Sequence, residues 1–117
     1  MCLPLECGKL AAQDAPISVR LTIDYGDGVQ KTFTSLPWKE KMTVFGALQA
    51  AEKHPHGIKL AFNGRGETTF ITTIDDAMNE GANGRNWRYT VNNQPAQQSA
   101  GVMELKAGDA VIWRFEK

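Results

Sequence analysis

The 117 residues carry 13 Lys and Arg against 13 Asp and Glu, a length that suits one domain burying roughly two thirds of the surface its unfolded chain exposes. No run of Lys or Arg forms a stripe, so the charge pattern offers no footprint for a phosphate backbone and nucleic acid is not an expected partner. The apolar runs fall far short of the roughly 20 residues that a membrane-spanning helix needs, so a soluble protein without a membrane span is expected.

Residues 1–16 read as a poorly ordered N-terminal tail ahead of a domain at 17–117. The tail has a single Lys and no apolar stretch of signal-peptide length, so no signal peptide is expected in it, and no lipid-attachment pattern precedes its cysteines. Cys2 and Cys7 are the only two cysteines. Without metal-ligand or redox spacing they exclude a disulfide framework and read as free thiols of a reducing compartment, or as one bridge closing a tiny loop outside the domain.

Ile17, Val19, Leu21, Ile23 and Tyr25 alternate with Ser18, Arg20, Thr22 and Asp24, the period of a strand with one buried face. Gly26-Asp27-Gly28 supplies turn residues that tolerate positive φ; Val29, Lys31 and Phe33 then continue into a second strand that Pro37 ends. Thr43 can cap a helix whose Val44, Ala47, Leu48 and Ala51 share one face, and Pro55 and Gly57 mark its end after about three turns. Ile58, Leu60 and Phe62, the turn Gly64-Arg65-Gly66 and a Thr-rich run to Ile74 predict a second hairpin.

Residues 75–85 hold two Asp, one Glu, two Asn and two Gly without periodicity, which predicts an irregular loop long enough to be functional. Trp87, Tyr89 and Val91 form the next strand, broken by Asn92-Asn93 and Pro95; a polar linker follows. After Gly108-Asp109, Val111, Trp113 and Phe115 end the chain in a strand that closes the core. The order gives an α+β fold of β-grasp type, a mixed sheet of about five or six strands with one helix packed on one face.

From residue 19 to 115 the pattern resembles the transcobalamin-like C-terminal domain family, within the soluble-ligand-binding β-grasp superfamily. The carriers are Gly26-Asp27-Gly28 after the first strand, Thr43-Val44 with Ala47-Leu48, the segment Asn86-Trp87-Arg88-Tyr89-Thr90-Val91-Asn92, and the ending from Leu105 through Gly108-Asp109 to Trp113. Asn93 stands where the family usually has Gly, and Asn also tolerates left-handed geometry. The resemblance implies a non-enzymatic ligand-binding or interaction module, commonly exported in bacteria. In cobalamin carriers this module is the smaller of two domains that clamp the corrinoid, and this sequence holds no counterpart of the helical partner. Cobalamin therefore enters as a ligand by resemblance only, and the residues themselves point to no cofactor.

Trp87, Tyr89, Trp113 and Phe115 read first as core. Trp87 also enters its strand from the long loop beside Arg85 and Asn86, where an indole and a guanidinium could meet a ligand together. Asn63, Arg65 and the rest of the 63–66 turn read as solvated turn chemistry or as a rim to that site. Trp38 reads either as a cap on the core or as an exposed interaction residue. His54 and His56 lack further partners for a metal, and Asp75, Asp76 and Glu80 lack EF-hand spacing, so no metal site is expected. No nucleophile with a base, carboxylate pair or phosphate-cradling loop is evident, so no catalytic residue is expected. Two cysteines are too few for a ferredoxin-type cluster, and no Gly-Gly tail closes the chain. The expected function is thus ligand binding through Asn63, Arg65, Arg85, Asn86, Trp87 and Tyr89. The alternative is a protein-interaction module acting through an edge strand or a homo-oligomer contact.

Overall fold

A computed structural model describes residues 17–117. The tail expectation for residues 1–16, with Cys2 and Cys7, lies outside the described residues. Strands β1 (Ser18–Asp24) and β2 (Gln30–Pro37) form the expected hairpin and are followed by helix α1 (Val44–Glu52). Next come β3 (Leu60–Asn63), a short 3-10 turn (Gly66–Thr68), β4 (Phe70–Ile74), β5 (Ala77–Met78), β6 (Asn86–Val91), β7 (Gln94–Pro95) and β8 (Ala110–Glu116).

Two sheets form, where the periodicities predict one. The larger is mixed, in the order β2-β1-β8-β6-β7, and the smaller is β3-β4-β5. The C-terminal strand β8 enters between β1 and β6, parallel to β1 with Leu21 opposite Val111, and antiparallel to β6 with Tyr89 opposite Trp113. This register puts Leu21, Ile23, Trp87, Tyr89, Val111 and Trp113 into one buried cluster, as the alternation requires.

Sequence and structure differ in particular places. The stretch 75–85 is less irregular than its composition implies, because Ala77–Met78 pairs back on β4. The polar linker begins with β7, since Asn92 and Asn93 both take positive φ (50° and 68°) and turn the chain back on β6. Ile17 and Val29 are exposed although each falls in the apolar phase of its strand. In the β3–β4 hairpin a register shift between Ala61 and Phe62 breaks the alternation. Phe62 is left 43 % exposed, its ring against Phe45, so it does not join the core.

Helix α1 has nine residues, too few to be stable alone in water. It buries Val44, Ala47, Leu48 and Ala51 in the common core. Its first N–H groups are all satisfied: Val44 donates to Met103 O at 2.9 Å, Phe45 to Ala100 O at 2.9 Å and Gly46 to Thr43 Oγ1 at 3.0 Å. Thr43→Ala is expected to cost about 1 kcal/mol by orphaning the Gly46 N–H, while Thr43→Ser keeps the acceptor and stays near wild type; chemical denaturation checks both.

Candidate functional site

The turn end of the β1–β2 hairpin, the β4–β5 turn and the junction of β6 with β8 surround a groove of about 780 Å³. Its first wall is the turn after β1. Gly26 takes φ +78°, and a Cβ there would sit 2.4 Å from the Phe115 carbonyl oxygen, so only glycine lets the turn close over β8. Asp24 and Asp27 accept from the amides of Gly26 and Val29 and hold the turn in place.

The second wall is Asp75, at the β4–β5 turn with φ 54°, a geometry that Asp tolerates better than most residues. Its carboxylate accepts from the Tyr25 hydroxyl, from Lys31 Nζ at 3.2 Å and from the Lys59 amide at 2.9 Å. The Asp75 amide in turn donates to Lys59 O at 2.8 Å. One side chain therefore joins β1, β2, the approach to β3 and the end of β4. Partial burial pushes the Asp75 carboxyl up, but the bonds from Tyr25, Lys59 and Lys31 together outweigh it and hold it below the ordinary carboxylate value. Burial first, and then the carboxylate beside it, push the Tyr25 phenol well above its usual range.

Glu80, Arg85 and Phe115 close the far side. Glu80 N donates to Arg85 O and Glu80 Oε1 accepts from Arg85 N, both at 2.8 Å. The bond from that amide holds the Glu80 carboxyl low. The guanidinium lies 4.9 Å above the Phe115 ring centroid, with Glu80 Oε2 3.5 Å from Nη2. Three cations (Lys31, Lys59, Arg85) and four carboxylates (Asp27, Asp75, Asp76, Glu80) face the groove. Exposed Val29 and Met78 add apolar surface to its lining. Among the described residues, no three His, Cys, Asp or Glu side chains are grouped so as to hold a metal ion.

The structure separates the residues singled out by sequence. Arg85 lines this groove. Trp87 and Tyr89 are buried, 6 % and 7 % exposed, and line a different groove. The Trp87 indole donates to Ala77 O at 2.8 Å and its ring meets Tyr25 edge-on and Phe115 at a tilt, so it props the first groove from behind. Asn86 holds the preceding loop, its side chain bonded to Gly81 and to Gly84 O. Asn63 pairs with Phe70, and Arg65 N donates to Thr68 Oγ1 in an exposed turn; neither residue lines the groove. Trp38 is half-buried against the core and donates its indole N–H to Leu105 O at 2.8 Å. Sequence reasoning missed Tyr25, Lys31 and Lys59, and it placed Asp75 in a loop long enough to be functional without giving that carboxylate a role of its own.

Residues 42–117 match the family described as Domain of unknown function (DUF4430). The chain belongs to this family. The matched span carries Asp75, Glu80, Arg85 and Phe115, while Tyr25 and Lys31 precede it. No curated protein matches the chain. Among solved structures, a proposed metal-binding protein from Ruminococcus gnavus ATCC 29149 aligns at TM-score 0.68 and 17 % identity, over 86 % of this chain and 96 % of its own. Haptocorrin in complex with Cbi aligns at TM-score 0.69 and 18 % identity, again over 86 % of this chain. The chain corresponds to only 25 % of the haptocorrin chain. At such identities the likeness is one of fold. Among the described residues, no helix is long and apolar enough to cross a membrane.

Proposed function

We propose that this DUF4430 domain is a non-enzymatic small-molecule-binding module of β-grasp type, with its ligand in the groove between the β1–β2 and β4–β5 turns. The observation that carries the reading is the Asp75 network. Three donors from segments 16 to 50 residues away converge on one carboxylate, so the groove is held in shape before a ligand arrives, which lowers the ordering cost of binding. The lining suits an amphipathic ligand. Arg85, stacked on Phe115, offers its outer face to a flat or polar group, and Val29 and Met78 offer contact to an apolar one.

The fold likeness to haptocorrin, solved with Cbi, adds support for an organic ligand. The metal binding proposed for the Ruminococcus gnavus protein finds no grouped ligand set among the described residues here. The fold accords with the β-grasp reading in having one helix against a mixed sheet whose last strand runs parallel beside the first.

Thermal shift with a broad metabolite panel that includes cobinamide and cobalamin tests the proposal. A true ligand at a hundred times its Kd adds about 2.7 kcal/mol to stability. Arg85→Ala should abolish the shift while leaving the unliganded protein near wild type, because the Arg85 ion pair is exposed. A panel without any shift, or a shift that Arg85→Ala leaves intact, overturns it.

A further inference from the structure

We infer a second and separate binding site, in the groove between the edges of β4 and β6, suited to a small uncharged ring compound that carries a carbonyl. The groove encloses about 500 Å³, within the range of small-molecule sites. It exists because β4 and β6 come alongside yet belong to different sheets. Side chains replace ladder bonds between them: Asn79 Nδ2 donates to Ile71 O and Asn79 Oδ1 accepts from Trp87 N, both at 2.8 Å. Ser99 Oγ donates to Thr69 O at 2.8 Å and fixes the adjoining segment. The strand edges are thus held near each other without a shared ladder.

The lining specifies the chemistry. Trp87, Tyr89 and Trp113 contribute aromatic walls and Phe70, 58 % exposed, forms a lip, so the body of the ligand is a ring. Arg88 and Glu116 are the lining's charged residues, one of each sign, so the groove favours no net charge. Two buried side-chain polar atoms among the described residues lack a hydrogen-bond partner, Thr90 Oγ1 and Trp113 Nε1, and both belong to residues lining this groove. The indoles of Trp38 and Trp87 each reach a carbonyl at 2.8 Å; Trp113, 3 % exposed, does not. A buried N–H without an acceptor is rare in folded proteins. Indole nitrogen only donates, so what it lacks is an acceptor such as a carbonyl oxygen. The two grooves have no lining residue in common, although Trp87, a wall of this one, also stands behind the first.

Acetophenone and ethylbenzene, which share a skeleton and differ in the carbonyl, make a matched pair of probes. Each is titrated into uniformly ¹⁵N-labelled protein while the indole N–H resonances are followed, with Trp113 assigned by Trp113→Phe. The inference expects acetophenone to move the Trp113 indole resonance saturably and to bind several-fold more tightly than ethylbenzene, with the Trp38 resonance fixed. Phe70→Ala, at an exposed position, should weaken acetophenone roughly fivefold, and Arg85→Ala should leave it unchanged. A Trp113 resonance that does not move saturably up to the solubility limit of acetophenone overturns the inference. So does equal affinity for the two probes, which would mean an apolar crevice that reads no carbonyl. Neither result bears on the first groove, whose ligand answers to Arg85.

Discussion

Asp75→Asn should lower stability by about 2 kcal/mol, or roughly 10 °C in Tm, although the substitution is isosteric and Asn tolerates the positive φ of the turn. The reason is donor excess. Asp75 Oδ2 faces the Tyr25 hydroxyl and Lys31 Nζ, and Oδ1 faces the Lys59 amide. An asparagine offers one acceptor oxygen where two are needed and turns an N–H₂ toward whichever donors remain. The ion pair itself contributes little, since Lys31 is 40 % exposed. The loss lies in the charge-assisted bonds to the shielded carboxylate.

The pH dependence separates this cause from simple loss of packing. The folded Asp75 carboxyl titrates below its unfolded value of about 3.9. Its contribution is therefore complete above that value and disappears as pH falls through the depressed one. The gap between wild type and Asp75→Asn, measured by urea denaturation, should be constant near neutrality and close below about pH 4. The alkaline side has the opposite sign. Tyr25 titrates above its unfolded value of about 10, so its contribution is present below that pH and lost as pH rises through the elevated one. In Asp75→Asn the carboxylate no longer opposes the phenolate, and ultraviolet titration should find Tyr25 ionising at lower pH than in wild type. An unchanged Tyr25 titration would show that burial alone sets it.

The legibility of the molecule follows the range of its interactions. β1, α1, β6 and β8 announce themselves because each carries its buried face locally, at a period of two or of three to four: Leu21 and Ile23, Val44 and Leu48, Tyr89 and Val91, Val111 and Trp113. The division into two sheets leaves no such mark. It depends on the bulge beside Phe62, on Asn79 bridging β4 to β6 through its side chain, and on β5 and β7, each two residues long and too short to show a period. The same contrast holds for the groove. Arg85 is conspicuous beside an irregular loop, whereas Tyr25 looks like the last inward residue of one strand and Lys31 like one more residue in the phase of Val29 and Phe33 on the next. Their meeting with Asp75, across 50 and 44 residues, exists only once β1 and β2 are docked against the end of β4.

Trp87→Ala should be among the most damaging single substitutions, with an expected loss of about 3–5 kcal/mol. The sequence leaves Trp87 between two roles, core anchor and ligand contact. At 6 % exposure it fills the space behind the first groove and a wall of the second. Alanine would leave a cavity between Tyr25 and Phe115 and an Ala77 carbonyl without its indole donor. Trp87→Phe divides the two effects. It keeps an aromatic against Tyr25 and loses the bond to Ala77 O, so a loss of about 1–2 kcal/mol is expected. Because Ala77 lies two residues beyond Asp75 in the same turn, the lost bond should also loosen the groove wall, and faster amide exchange at residues 77–80 in Trp87→Phe would register it. If Trp87→Ala instead unfolds within about 0.5 kcal/mol of wild type, the indole is a ligand contact held at the surface and the packing assigned to it here is wrong.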